Sequence, residues 1–293
     1  MFNFGLGGSK TSRKVNLPKT IDQQLYKACT QGKIEEVKQL LTQPTIRPNY
    51  ENFSGQTPFW TACYNGQTEV VKVLLNDERV DVNKTSRDKE TPFWAACRGG
   101  HIETVKLLLN DERINVNEAN SDDQTPFWIA CNNGKIEIVK LLLNDERIDI
   151  NRKNQGKEDG FNFLPQTNIG TPFLIACKNG IIEIVQYILA SGREVDLNEK
   201  DNQANTLIGL AKKEIERIEL QQKLEQGWRQ QGLFGPVHDS ASEAKKKQGI
   251  YIEIIELLES FEKNPTETRT KLRNQLGLPG KSLFLHFYFF SLM

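Results

Sequence analysis

T-P-F-W-T-A-C-Y-N-G, residues Thr57 to Gly66, returns as T-P-F-W-A-A-C-R-G-G (Thr91 to Gly100), T-P-F-W-I-A-C-N-N-G (Thr125 to Gly134) and T-P-F-L-I-A-C-K-N-G (Thr171 to Gly180). The first two intervals are 34 residues and the third is 46. A fixed period of this size marks a repeat array, in which each unit buries its apolar face on its neighbours. The wording of the stretch explains its shape. Thr caps a helix, and the Pro after it sits where a missing N–H costs nothing. Phe59 and Ala62, three apart, share one face, with Cys63 four residues from Phe59. Gly66, Gly100 and Gly134 stop the helix where a left-handed residue is needed. A second helix then opens near Glu69, Glu103 or Glu137, acids suited to the positive end of its dipole, and continues as an apolar run such as Val70 to Leu75.

Each unit resembles the ankyrin repeat, whose T-P-L-H-x-A signature stands here as T-P-F-W-x-A, followed by G-x-x-E-[VIT]-V-K-x-L-L and ending D-V-N or a near variant. The resemblance runs from about residue 20 to 204. It implies an all-α ankyrin-repeat solenoid of stacked helix-turn-helix units with β-hairpin or loop fingers, working as a non-catalytic binding scaffold or adaptor. Two departures matter. Trp60, Trp94 and Trp128 stand where the family has His; this removes the familiar side-chain hydrogen bond and substitutes a larger apolar contact. A stacked Trp ladder is expected, an aromatic ligand-binding box being the alternative. Each second helix also ends in Asn-Asp-Glu-Arg, at Asn76, Asn110 and Asn144, where the family commonly has Gly and is one residue shorter. Asn is expected to supply the left-handed cap. The charges that follow (Asp77, Glu78, Arg79) read as a solvated edge, or as a repeated docking ridge.

Around this array the chain divides as follows. Residues 1–19 are read as a flexible leader without a basic n-region or sustained apolar stretch. Thr20 and Gln23 form a capping box opening the first unit, 20–56, which lacks T-P as an N-terminal cap would. The units 57–90, 91–124, 125–170 and 171–204 follow, the fourth carrying 12 extra residues in its finger. Residues 205–277 form a split sixth unit: Asn205 to Ala211 resembles the first helix and Gly249 to Phe261 the second. The insertion between them, 212–248, begins as a charged helical arm with Ile215, Ile218, Leu220, Leu224 and Trp228, supported by a Glu219–Lys223 pair. Residues 232–248 read as a loop. Asn264-Pro265 opens a capping helix that stops at Gly277. The apolar tail 278–293 ends in S-L-F-L-H-F-Y-F-F-S-L-M, Ser282 to Met293, far short of the roughly 20 residues that span a bilayer. An interfacial anchor, a segment buried on the array or a partner, and an exposed tail without a role are its three readings.

Thirty-eight basic residues balance thirty-eight acidic ones, so no net field favours nucleic acid or an anionic surface. The five cysteines, Cys29, Cys63, Cys97, Cys131 and Cys177, each follow an Ala at one place in the repeat. One per unit is not a disulfide framework. Units stack about 10 Å apart, beyond the roughly 7 Å that a disulfide bridges. The thiols are expected as reduced core groups, suited to the cytoplasm or the nucleus. No C-x-x-C or adjacent His pair suggests zinc. His101, His238 and His286 are scattered, no nucleophile motif stands in a plausible context, and Gly5 to Lys10 has the wrong order for a phosphate loop. No enzyme and no cofactor are expected.

The partner implied by the resemblance is another protein, with a membrane-associated scaffold anchored by the tail as the alternative, and the chain is expected to be a monomer. If family practice carries over, Tyr64, Arg98, Asn132 and Lys178, each shortly before the helix-ending Gly, touch the partner from the concave inner face. The finger tips add Phe53, Arg87 and Asp122. Phe161, Phe163, Leu164 and Pro165 cluster in the long fourth finger, and either dock back on the protein or mark an interface.

Overall fold

The computed structural model describes residues 20–154, 170–201, 204–230 and 240–279. The sequence readings of the leader, of the Phe161, Phe163, Leu164 cluster and of the Ser282 to Met293 tail lie outside these. Five short helix pairs come first: α1 (Ile21–Gln31) and α2 (Ile34–Leu41), α3 (Pro58–Tyr64) and α4 (Thr68–Leu75), α5 (Pro92–Gly99) and α6 (Ile102–Leu109), α7 (Pro126–Asn132) and α8 (Ile136–Leu143), α9 (Pro172–Lys178) and α10 (Ile182–Ser191). The first helices of successive pairs pack on one another as an inner layer and the second helices as an outer one. Thr57, Thr91, Thr125 and Thr171 cap as their position predicts, each Oγ1 accepting the N–H three residues on at 3.0 to 3.3 Å. In α1, Thr20 and Gln23 form the reciprocal capping box.

The core between the layers is one continuous sheath. Phe59, Phe93, Phe127 and Phe173, and all five cysteines, are buried in it. The thiols are free, and burial pushes each of them well above its usual pKa. Gly66 shows why the helix stop favours glycine: its φ is +65°, and a Cβ there would sit 2.4 Å from Nδ1 of His101. That ring lies against the turn because its Nε2 bonds the Tyr64 carbonyl at 2.7 Å.

The ends of the outer helices differ from expectation. Asn76, Asn110 and Asn144 cap with φ near −80° and ψ near −7°, so no left-handed residue is used. The turn is closed instead by the following Asp, whose Oδ1 accepts the Arg79, Arg113 or Arg147 backbone N–H at 3.0 to 3.1 Å. Nor are these charges merely a solvated edge or a free ridge. The Arg79 guanidinium grips Asp77 and reaches back to the Leu41 carbonyl at the end of α2, at 2.8 Å. Arg113 does the same to Leu75 (2.9 Å) and Arg147 to Leu109 (2.6 Å). Each is a strut from one unit to the terminal carbonyls of the preceding outer helix, where a cation is favoured. These bonds hold the Asp77, Asp111 and Asp145 carboxyls below the usual carboxylate range. Beside them runs a row of amides: Asn49, Asn83 and Asn117 each donate to the carbonyl of the next unit's Arg at 2.6 to 2.8 Å.

The chain continues into α11 (Leu207–Gln230), α12 (Ser240–Lys263) and α13 (Pro265–Gln275). Helix α11 packs on α9, α12 on α10, and α11 and α12 pair along their length. Residues 240–248, read from the sequence as part of a loop, are the first turns of α12; Lys245 to Gln248 are good helix formers that the neighbouring Gly and Ser obscured. Helix α13 closes the stack against α10 and α12. Leu272 is buried there, while Arg273 and Arg269 donate to the Ala190 and Leu189 carbonyls near the end of α10, which repeats the strut principle. Among the described residues the fingers are turns rather than strands. Asn52 and Gln56, Ser86 and Glu90, and Asn120 and Gln124 join through one backbone bond each, and isolated bridges pair Asn154 with Gly170 and Lys200 with Thr206.

Candidate protein-binding surface

The inner helices decide what reaches the surface. In α3, α5, α7 and α9 the six residues from the Pro onward are buried, so the helix first shows itself at the residue after the Cys. Those are Tyr64, Arg98, Asn132 and Lys178. Tyr64 is exposed and stacks on Trp60, ring centroids 5.2 Å apart at 13°. Arg98 lies over the Trp94 ring, 5.4 Å from guanidinium carbon to centroid, and pairs with Glu90 at 3.3 Å. Asn132 is half-buried and accepts from Nδ2 of Asn179 in the next unit at 3.2 Å. Lys178 is half-buried, and desolvation lowers its pKa.

The indoles answer the question left by the missing His. Nε1–H of Trp60 donates to the Glu90 carbonyl, that of Trp94 to Gln124 and that of Trp128 to Gly170, each at 3.0 Å. The acceptor is always the residue just before the next unit's capping Thr. The substitution therefore keeps a side-chain hydrogen bond and carries it across the unit boundary. The expected Trp ladder is not formed; among the described residues the stacked ring pair is Trp60 with Tyr64. The indoles are buried beneath the surface, which leaves no aromatic box. Tyr26 stands in the same register of the first unit, its hydroxyl bonding the Gln56 side chain at 3.4 Å.

At the tips Phe53 is 95% exposed, and Arg87 and Asp122 are exposed as well. The tips are also tied together: the Arg87 N–H donates to the Ser54 carbonyl at 2.9 Å, and the Ser121 N–H to Asp88 at 2.7 Å. Lys89 and Asp123 take positive φ at these turns. The structure thus brings Tyr64, Arg98, Asn132 and Lys178 onto successive units of one face, with Phe53, Arg87 and Asp122 along one row of loops.

Sequence reading missed two parts of this face. Glu90 is a mostly covered carboxylate whose pKa is raised by desolvation, with Arg98 only partly compensating. A groove of about 680 Å³ follows, where Asn132, Lys178 and Asn179 face Arg217 of α11 and Lys247 and Tyr251 of α12. The Tyr251 hydroxyl donates to the Lys178 carbonyl at 2.9 Å, and burial pushes its pKa up to about 12. No local motif announces this wall, because it comes from helices more than 30 residues further along the chain. Among the described residues no group of His, Cys, Asp or Glu is placed to hold a metal, and no helix is long and apolar enough to cross a membrane.

Residues 17–86 and 78–154 match the family described as ankyrin repeats (3 copies). The stacked helical pairs agree with that match and are consistent with an ankyrin-repeat protein. No curated protein matches it. Ankyrin repeats are generally protein–protein interaction modules and typically non-catalytic, so protein partners are implied.

Proposed function

We propose that the chain is a non-catalytic adaptor that binds a protein along the inner-helix face from Tyr64 through Arg98 and Asn132 to Lys178. The tips at Phe53, Arg87 and Asp122, and the Phe161, Phe163 and Leu164 cluster of the long finger, extend the contact. In this reading 20–204 is the array, 205–277 its split last unit, and the protein works as a cytoplasmic monomer; the five reduced, buried thiols suit that compartment. The observation that carries the proposal is a contrast within one register. The buried text of the inner helices repeats almost letter for letter, whereas the residue that emerges changes from a phenol to a guanidinium, an amide and an ammonium. A scaffold needs its core constant and its reading face varied.

Crosslinked affinity capture from native lysate tests this, comparing wild type with a Tyr64→Ala, Arg98→Ala, Lys178→Ala variant. The specific partner is expected to be lost with Tm nearly unchanged, since these side chains lie outside the sheath. Retention of the same partner at wild-type level refutes the assignment of the face.

A further inference from the structure

Among the residues that emerge from the inner helices two are cations, and the array surrounds them differently. Arg98 has its own setting: Glu90, eight residues before it, pairs with the guanidinium at 3.3 Å, and the ring of Trp94, four before it, lies 5.4 Å from the guanidinium carbon. At the same two places before Lys178 stand Gly170 and Leu174, so neither counter-ion nor ring is supplied. Its setting comes instead from the last unit, where α11 and α12 wall in the groove of about 680 Å³ at the end of α9. Among the described residues the charged side chains lining that groove are Lys178, Glu214, Arg217 and Lys247. Glu214 is taken by Arg217 at 2.7 Å, and Lys247 has Glu243 at 3.2 Å. Asp201, which attracts Lys178 from a distance, accepts from the backbone and side-chain N–H groups of Asn205 at 2.8 to 3.0 Å. Among the described residues the Lys178 ammonium is thus left without a contact partner. Desolvation lowers its pKa against the pull of Asp201 and Glu214, as expected for a cation enclosed but not paired.

We propose that Lys178 takes the carboxylate of an acidic side chain, Asp or Glu, which the protein partner of the inner face lays into this groove. The inference rests on the protein-binding reading of that face and specifies the charge of what arrives at its last position. One uncompensated positive charge matches one carboxylate. A phosphorylated side chain, with about two negative charges, would call for a second unpaired cation, and a nucleic-acid backbone for a run of them. Ile181, Ile218 and Ile250 line the same groove and offer apolar surface to the methylene stem of the incoming side chain. They also exclude water from the pair, so it is stronger than an ion pair on open surface. Arg98, already paired with Glu90, makes no such demand, which divides the inner face into one self-satisfied cation and one that selects the sign of its partner.

The test uses the purified full chain and a displayed library of random peptides, selected in parallel on wild type, Lys178→Met and Lys178→Glu. Peptides that bind wild type and are lost on Lys178→Met are expected to share an Asp or Glu at one position, and selection on Lys178→Glu should turn that position to Lys or Arg. A synthetic binder with the acid changed to its amide should bind wild type roughly tenfold more weakly and lose nothing further on Lys178→Met. Lys178→Met should keep or raise the Tm, whereas Arg98→Met, which strands Glu90, should lower it. A neutral or basic residue at the Lys178-dependent position, one consensus on all three proteins, tighter binding when phosphoserine replaces the acid, or no peptide that depends on Lys178 overturns the proposal. So does a fall in Tm for Lys178→Met as large as that for Arg98→Met, which would place a partner for the ammonium inside the fold. Peptides that need Tyr64 and Arg98 but not Lys178 overturn this inference alone and leave the adaptor reading standing.

Discussion

Replacing Arg113 by Ala removes one strut and leaves the buried sheath intact. The guanidinium makes a charged hydrogen bond to the Leu75 carbonyl at 2.9 Å and a forked pair of bonds to Asp111. A hydrogen bond from a charged donor contributes about 1.5–3 kcal/mol when water is excluded. Here 46% of the Arg113 side chain is exposed, so water recovers part of that, and the figure falls toward about 1 kcal/mol. The cation at the end of α4 adds about 0.3–1 kcal/mol. The expected cost is therefore about 1–2 kcal/mol, read as a lower urea midpoint at constant slope. Glu112, exposed in the same turn, is the internal control; Glu112→Ala should stay within about 0.5 kcal/mol of wild type. Lys at position 113 should rescue poorly, because an ammonium cannot fork onto Asp111 and still span to Leu75. Removing Arg79, Arg113 and Arg147 together should cost about 3–6 kcal/mol if the three interfaces act independently. Because the loss falls at unit boundaries, unfolding should then split into more than one transition. If Arg113→Ala is no more harmful than Glu112→Ala, the charges are a solvated edge after all and the strut account is wrong.

Acid should weaken the protein through the same groups. The Asp77, Asp111 and Asp145 carboxyls sit below their unfolded values, so their contribution is complete above about pH 4 and disappears as pH falls through the lower folded values. Glu90, raised by burial, acts with the opposite sign, and Glu90→Gln should steepen the acid loss; a shallower slope contradicts the assignment. All five thiols should resist an aromatic disulfide reagent in the native state and react together on unfolding, and a fast-reacting native thiol would show that the core is not closed. The amides of Arg87 and Ser121, though in exposed loops, should exchange more slowly than that of Asp88, as expected for tips bonded to one another; equal rates would mean that the row of tips is not tied.

The helices, their caps and their stops could be read directly, because Thr-Pro, the buried Phe and Cys, and the terminal Gly each act within their own unit. The interactions that crossed from one unit to another could not. Trp60 gave away its bulk but not the destination of its N–H, since the acceptor is a backbone carbonyl at Glu90 and every residue has one. The same is true of Arg113 and Leu75. Asn76 was read as a left-handed cap on propensity alone, whereas the Asp77 carboxylate closes the turn without it. In α11 the spacing of Leu220, Leu224 and Trp228 correctly marked a helix face, but spacing does not say whether that face turns inward; Gln248 and Glu219, 29 residues apart, decided it. Four of the candidate contact residues fell on one face for a local reason: each follows the last buried residue of its helix.

The strut joins unlike things. One end is a particular side chain, the other a main-chain oxygen that every unit owns whatever its sequence. A copied unit therefore arrives with its own connector and finds a socket on any predecessor, and it offers a socket to any successor. Arg193, in a unit whose turn no longer reads Asn-Asp-Glu-Arg, still reaches the Asp145 and Ile148 carbonyls behind it. Lengthening or shortening such a chain by whole units needs no matching change elsewhere, so the joints constrain the partner-facing residues hardly at all.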